Sequence, residues 1–278
     1  MRALITKAGK LAKYLVVSVA LLVTLGPVLF TVVLSLQSAR VEEKYPPDWL
    51  FRPTVANYST ALHSGFGAGL VHSVIIDSCA TVVALIIALP SAYLLTRASR
   101  RRRVGRLMLG YSLGTRVLPG LLVLVPLFIV FRSLGLLNSY VGMVLAYQVL
   151  TLPIAFTAML SFFAEVPEDI LEAAACDGAG ELTAFRRVAL PVARAGVLAT
   201  GVLSFLFSWT DVFFALVLTG PQTVTAPVEI MSFVKYEGVD WGALAAGSVL
   251  LMVPSLIFGV LARKALVRGI TAGALNGT

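Results

Sequence analysis

The sequence Glu172-Ala-Ala-Ala-Cys-Asp-Gly-Ala-Gly180, followed by Leu190-Pro191, decides how this chain is organised. It is a short segment rich in small residues, within a chain of 278 residues that is 58% hydrophobic and only 13% charged. Soluble domains contain about 25% charged residues. A chain with so little charge folds in a bilayer, so the segment is interpreted as a connection between membrane-spanning helices.

Long runs without charge predict six membrane-spanning helices. A span through the hydrocarbon core takes about 20 apolar residues. The runs 14–39, 133–164 and 241–262 contain no Asp, Glu, Lys or Arg, and three further apolar runs contain one such residue each. The predicted spans are roughly 12–36, 70–95, 107–131, 141–163, 196–218 and 241–262. The sequence therefore predicts a single all-α, polytopic membrane domain over residues 1–278.

The placement of positive charge predicts the orientation. Cytoplasmic connections carry an excess of Lys and Arg. Most of the 22 Lys and Arg lie before the first span, in the connection 97–106, around 186–194 and after the last span. Both termini, the coupling loop 164–195 and the tail 263–278 are therefore expected on the cytoplasmic side of a cell membrane. The net charge of +8 follows from this topology and indicates no nucleic-acid partner.

The loop 164–195 has the pattern of two short helices. Pro167 and the acidic residues after it suit a helix start, where negative charge complements the helix dipole. Three alanines favour helix without adding bulk. Asp177-Gly178 predicts the end of this helix, because glycine adopts positive φ readily. A second helix is predicted over about 181–188, ending before Leu190-Pro191.

The alanine face of the first helix has two interpretations. It fits a groove on another protein, with Ile170 and Leu171 as anchors. It is also compatible with an ordinary connection that lies on the membrane.

Three ionisable residues are predicted inside the membrane: Asp77, Arg116 and Asp211. Each costs roughly 2.5–3.5 kcal/mol at bilayer depth, so each is expected to face the bundle interior or water. Either they line a path for a solute, or Arg116 pairs with one of the two carboxylates. Tyr147 and Trp209 are aromatic candidates for the same path.

Several segments together resemble a known family. Glu172-Ala173-Ala174, Asp177-Gly178-Ala179 and Leu190-Pro191 resemble the EAA motif of the membrane subunits of ABC importers. Trp209-Thr210-Asp211, Thr225-Ala226-Pro227-Val228 and the tail from Arg268 to Ala274 extend the resemblance, which covers most of the chain after residue 70. The combination is similar to the carbohydrate-type, MalG-like permeases.

The resemblance implies the type I ABC importer permease fold, with six transmembrane helices and a cytoplasmic coupling helix. It implies contacts with an ATPase at Glu172, Ala173, Ala174, Asp177, Gly178, Ala179, Leu190 and Pro191, and at Thr271, Ala272 and Gly273 of the tail. The expected partners are a second, similar permease in a heterodimer, two ATPase subunits that bind ATP and Mg, an extracytoplasmic solute-binding protein and membrane lipid.

The chain itself is expected to be neither an enzyme nor a cofactor-binding or metal-binding protein. It contains no G-x-x-x-x-G-K-[ST] motif for nucleotide phosphates. Its two histidines, His63 and His72, stand in no pattern with a nucleophile or a metal ligand, which disfavours a membrane enzyme. The remaining alternatives are an ABC importer for a solute other than a sugar and an ion-coupled secondary transporter.

Overall fold

The computed structural model describes residues 2–38, 50–97, 107, 108, 110–114, 120–236 and 238–275. In these residues the chain is helical apart from short links and a two-stranded hairpin. Backbone contacts divide it into two units. The first consists of Met1–Gly67 with Ile230–Met252, and the second of Ala68–Glu229 with Val253–Thr278.

The first unit combines helical segments with the hairpin. Its elements are α1 (Arg2–Ser35), α2 (Ala56–Ala61), a π-helical turn (Leu62–Phe66), a 3₁₀ turn (Ile230–Phe233), strands β1 (Val234–Lys235) and β2 (Gly238–Val239), and the first part of the last helix, which begins at Trp241. The strands pair antiparallel, with Val234 opposite Val239. Asn57 fixes α2 to the end of α1, because its side-chain amide donates to the carbonyl oxygens of Ser35 at 3.1 Å and Gln37 at 2.7 Å.

The second unit contains the remaining helices. They are α3 (Gly67–Thr96), α4 (Gly120–Ser133), α5 (Tyr140–Ala146), α6 (Gln148–Ala164), α7 (Glu168–Cys176), α8 (Glu181–Ala184), α9 (Leu190–Val192), α10 (Arg194–Trp209), α11 (Phe213–Leu218), α12 (Ala226–Glu229) and the second part of α13 (Trp241–Leu275). A π-helical turn, Phe185–Ala189, joins α8 to α9.

Two clusters of buried apolar side chains form the core of the second unit. One joins the C-terminal halves of α3 and α6 to the start of α10 and includes Phe156 and Met159. The other joins the first half of α3 to α4, α5 and α11 and includes Ile76 and Phe214. The alanines at 80, 84, 88 and 92 recur along α3 and are all fully buried. Small residues at this spacing let helices pack closely in a membrane.

Several described helices are suited to cross a membrane. Three are long and apolar enough: Lys13–Ser35, Ala56–Thr96 and Trp241–Val260. The number rises to five if each of two bent pairs is one span, namely α5 with α6 at 45° and Glu181–Val192 with Arg194–Trp209 at 77°. Leu122–Ser133 is a shorter apolar helix. The predicted span 107–131 lies partly outside the described residues, so the count of six stays a prediction.

The predicted span 196–218 is not one continuous helix. The helix ends at Trp209, and the Asp211 carboxylate accepts hydrogen bonds from the backbone N–H groups of Phe214 at 3.0 Å and Ala215 at 3.3 Å. Side chains that accept such bonds satisfy the free donors of a helix start. The capping by Asp211 therefore starts a separate helix, α11.

Other boundaries also differ from the sequence prediction. The helix predicted over 181–188 continues through a π-helical turn to Val192. Pro191 does not stop it and lies in the short helix α9 that follows the π-helical turn. The predicted tail 263–278 is helical as far as Leu275. The all-helical prediction also missed the hairpin of β1 and β2.

Candidate functional site

A glycine-terminated turn connects α7 to α8. Gly178 has φ of +80°, its N–H donates to the Ala175 carbonyl at 3.0 Å, and the Ala179 N–H donates to the Ala174 carbonyl at 2.9 Å. This pair of bonds is the Schellman motif, which places a left-handed residue after the helix. A Cβ at Gly178 would meet no described atom within 4 Å, so backbone geometry and not lack of space requires glycine. We call residues 168–192 the elbow.

The elbow exposes acidic and small side chains. Glu168, Glu172 and Ala173 are exposed on α7. Leu171 is only 5% exposed and packs in the core with α3 and α6. Leu171 therefore anchors α7 to its own subunit, which corrects the expectation that it anchors a partner. Ile170, at 44% exposure, remains available for such a contact.

The other predicted contact residues differ in exposure. Asp177 and Pro191 are exposed, whereas Ala174, Ala179 and Leu190 are half-buried. The predicted tail residues Thr271, Ala272 and Gly273 lie in the last part of α13. The predicted contact residues of the elbow are thus exposed or half-buried in the second unit, and the predicted tail residues belong to α13.

Three aromatic rings meet where α3 and α6 end. The ring centroids of Tyr93 and Phe163 lie 5.7 Å apart, those of Tyr93 and Phe185 5.1 Å, and those of Phe163 and Phe185 6.1 Å. Arg97 extends the cluster by donating from Nη1 to the Tyr93 hydroxyl at 3.2 Å. We call Tyr93, Phe163 and Phe185 the aromatic cluster. The sequence analysis missed it, because the three rings come from segments far apart in the chain.

A cavity of about 430 Å³ borders the aromatic cluster. Its lining includes Tyr93 from α3 and Arg97 directly after that helix, Phe163 from α6, and Glu168 and Leu171 from α7. On this side the first turns of α7 are therefore not packed tightly against the ends of α3 and α6. The cavity opens at the surface, since Pro167 and Glu168 of its lining are exposed.

Most of the predicted path residues come together in the interior of the second unit. Asp77 and Tyr147 are each 1% exposed, and Trp209 is 2% exposed. Ser208 lies next to the Asp77 carboxylate, and Tyr147 lies next to the Asp211 carboxylate. These contacts form a polar network that joins α3, the α5–α6 bend and the end of α10.

Trp209 packs against aromatic side chains of the second unit. Trp209 stacks on Phe205 with ring centroids 5.5 Å apart, and Phe205 contacts Phe258 at 4.6 Å. These contacts give Trp209 a packing role in the subunit. Arg116 lies outside the described residues, so its pairing with an aspartate stays a prediction.

The connection after α11 is fixed by side-chain hydrogen bonds. Asn138, with φ of +51°, accepts through Oδ1 from the Gln222 N–H at 3.2 Å and the Thr223 hydroxyl at 3.0 Å. The Ser73 hydroxyl oxygen accepts from the Ala226 N–H at 2.9 Å. The sequence analysis did not find this bracing, although an asparagine before a helix start is a known signal for positive φ.

Comparison with known proteins identifies the family. The sequence profile of the family described as "binding-protein-dependent transport system inner membrane component" matches residues 80–271. The chain is 33% identical over 215 residues to the trehalose transport system permease protein SugB of Mycobacterium tuberculosis, covering 76% of this chain and 78% of SugB. It is 31% identical over 273 residues to the sulfoquinovosyl glycerol transport system permease protein SmoH of Agrobacterium fabrum, covering 97% of this chain and 95% of SmoH.

A solved structure has a similar fold. It is the crystal structure of a bacterial ABC transporter involved in the import of the acidic polysaccharide alginate, with a TM-score of 0.79, 20% identity, and coverage of 93% of this chain and 96% of that chain. The fold is that of a type I ABC importer permease, as the sequence resemblance implied.

The matched residues 80–271 include the whole elbow and most of the polar network. The chain belongs to the family of binding-protein-dependent transport system inner membrane components. It is the membrane permease of an ABC importer and not its ATPase, and it works with an ATPase and a binding protein. The predictions of family and function are confirmed.

Proposed function

We propose that this chain forms half of the translocation path of a carbohydrate importer and couples that path to ATP hydrolysis by separate subunits. The elbow is the observation that carries the proposal. It is an exposed, glycine-terminated helix with acidic and alanine side chains, on the membrane component of a binding-protein-dependent transporter. ATP and Mg bind to the ATPase subunits, so the chain supplies a mechanical link and no chemical step.

The elbow docks in a groove of one of two ATPase subunits. An amphipathic helix binds such a groove through small and apolar residues on one face. Glu172 makes the main polar contact, Ala173 and Ala174 allow the close approach, and Ile170 adds an apolar contact. The turn at 177–179 and the segment 190–191 complete the contact surface. Closure of the ATPase subunits displaces the elbow, and the packed helices switch between two arrangements.

Both termini and the elbow lie in the cytoplasm in this proposal. The excess of Lys and Arg in the connections on that side supports this orientation. The tail residues Thr271, Ala272 and Gly273 then lie on the same side as the elbow and contact the ATPase subunits. The solute-binding protein docks on the opposite side of the membrane.

The translocation path runs between this chain and a second, similar permease. Asp211 is half-buried and borders the path, and the aromatic Trp209 lies behind it. Asp77 and Tyr147 are buried inside the subunit and hold the path wall in place. Arg116 is a further candidate for the path from the sequence alone.

The solute is a carbohydrate or a carbohydrate derivative. SugB is named for trehalose transport and SmoH for the transport of sulfoquinovosyl glycerol. Both relatives cover at least three quarters of this chain at above 30% identity. Their shared class of solute supports a sugar-containing substrate here.

Uptake into proteoliposomes tests the proposal. The complete transporter, with its partner permease, ATPase subunits and binding protein, is reconstituted, and radiolabelled trehalose and a panel of other sugars and amino acids are supplied one at a time. We expect accumulation of a sugar with MgATP and no accumulation when ATP is replaced by a proton or sodium gradient.

Two results contradict the proposal in different ways. Gradient-driven uptake without ATP indicates a secondary transporter. ATP-driven uptake of an amino acid, with no sugar transported or bound by the binding protein, removes the carbohydrate assignment and leaves the ATP-driven mechanism intact.

A further inference from the structure

The aromatic cluster is the point where the elbow contacts the ends of two long helices. Phe185 is the first residue of the π-helical turn that follows α8. Its ring lies 5.1 Å from that of Tyr93 on α3 and 6.1 Å from that of Phe163 on α6, measured between centroids. Tyr93 and Phe163 are themselves each only 4% exposed. The ring of Phe185 is therefore fixed against two buried rings.

The π-helical turn explains how Phe185 reaches this position. A π turn inserts one residue into a helix, changes which side chains face inward, and occurs frequently at functional sites. In the same turn Ala189 is fully buried in the core that contains Phe163. The flanking residues Arg186 and Arg187 are exposed. The turn thus holds one side of the elbow in the subunit core and leaves the other side at the surface.

The cavity beside the aromatic cluster interrupts the contact between the elbow and the ends of α3 and α6. About 430 Å³ of space lies between the first turns of α7 and the ends of α3 and α6. Rings in contact transmit displacement well, because aromatic side chains are rigid and have few rotatable bonds. A void transmits none, since it has no atoms in contact across it. The elbow therefore contacts α3 and α6 around the cavity, through Phe185 and Leu171.

We propose that Phe185 is a positioning residue whose contacts with Tyr93 and Phe163 transmit movement of the elbow to α3 and α6. This inference rests on the proposed coupling to ATP hydrolysis. Phe185 acts through the two buried rings and touches neither nucleotide nor solute. Without this ring the ATPase still docks on the elbow, but α3 and α6 no longer follow the movement of the elbow.

A spin label on α3 provides the test without knowledge of the solute. The chain has two cysteines, Cys79 on α3 and Cys176 on α7, and both are free and exposed. Cys176→Ser leaves Cys79 for labelling in a complete transporter whose other subunits lack reactive cysteines. The mobility and water accessibility of the nitroxide on Cys79 are compared between the nucleotide-free state and the state trapped with MgATP and vanadate.

We expect a nucleotide-dependent change in the parent protein. In Phe185→Ala the nucleotide-dependent change in the mobility and water accessibility of the nitroxide falls at least twofold. The ATPase subunits copurify with this variant in the parental amount. Phe185→Tyr keeps the ring and restores the change, which simple loss of stability would not explain. Phe30→Ala removes a ring that is 51% exposed on α1 and serves as the matched control, with the parental change retained.

The outcomes that overturn the inference are distinct from failure of the proposed function. A full parental change in Phe185→Ala overturns it. If Phe185→Ala does not assemble, Phe185→Leu decides, and a full change in that variant overturns it as well. An unresponsive label in a parent transporter that hydrolyses ATP also overturns it, because α3 then does not move. A parent complex that neither retains ATPase subunits nor hydrolyses ATP contradicts the proposed function itself.

Discussion

Asp211 satisfies two backbone donors at the start of α11, through hydrogen bonds of 3.0 and 3.3 Å to its Oδ2 atom. The same carboxylate lies next to Tyr147. Capping of this kind stabilises a helix by typically about 1 kcal/mol relative to alanine. Asp211 therefore has a structural role in addition to the one proposed for it at the solute path.

The capping role predicts different results for two substitutions of Asp211. Asp211→Ala removes the acceptor, at a cost of about 0.5–2 kcal/mol, and we expect a lower apparent melting temperature of the complete transporter in nanodiscs. Asp211→Asn keeps a side-chain oxygen that can cap the helix, so its melting temperature stays close to that of the parent. Equal melting of both variants would show that the capping bonds contribute little.

At the residue scale the sequence predicted some properties of the site and not others. Asp77 was expected to avoid lipid because charge is costly there, and its 1% exposure confirms this. Its contact with Ser208 could not be predicted, because the rotation of α10 relative to α3 depends on packing along both helices. For Gly178 local chemistry is sufficient, since a left-handed turn after an alanine-rich helix favours glycine.

Among the elements, α10 and α6 pack closely at Gly196. A Cβ built on Gly196 would lie 2.3 Å from Cγ of Phe162 and 2.7 Å from both Cδ atoms of that ring. These distances are far below contact distance, so the glycine permits the approach of the ring. Next to it, Thr200 donates its hydroxyl to the Met159 sulfur at 3.4 Å. This pair of helices holds the 77° bend at the end of the elbow in place.

The close approach predicts that Gly196→Ala is destabilising. Overpacking a tight contact costs typically about 1–3 kcal/mol, so we expect a lower apparent melting temperature and a smaller yield of assembled transporter. Phe162→Leu in the same chain makes room for the added methyl group and restores part of the loss. Gly259→Ala is the matched control, because a Cβ there meets no described atom within 4 Å. A larger loss in Gly259→Ala than in Gly196→Ala would contradict the packing.

The sequence predicted those helices that coincide with runs of residues without charge. α1, α3 and the start of α13 agree with these runs, because hydrocarbon excludes charge along the whole length of a span. The bend between α5 and α6, and the π-helical turn before α9, carry no comparable local signal. The aromatic cluster was also unpredictable, since each of its rings looks like ordinary packing within its own segment.

At the scale of the whole molecule, the distribution of charge predicts the orientation in the membrane. The positive residues favour the cytoplasm for the elbow and the termini. Cys176 lies on the elbow and Tyr236 in the hairpin, and both side chains are exposed. The topology proposed above places these two residues on opposite sides of the membrane.

Labelling of single cysteines tests this topology. In a Cys79→Ser background, native Cys176 should react with a membrane-impermeant maleimide only after the cells are permeabilised. In a chain that also carries Cys176→Ser, a Tyr236→Cys substitution should react in intact cells. Reaction of Cys176 in intact cells would place the elbow outside and remove it from contact with ATPase subunits.

The most direct measurement is ATP-driven uptake by a transporter that carries Gly178→Val, compared with one that carries Gly180→Val. Gly178 has φ of +80°, where a residue with a side chain costs about 1–2 kcal/mol, whereas Gly180 has φ of −68° and open space around it. We expect Gly178→Val to insert in the membrane in the parental amount and to lose at least fivefold in uptake, with Gly180→Val close to the parent. Parental uptake by Gly178→Val would contradict the elbow as the link between ATP hydrolysis and transport.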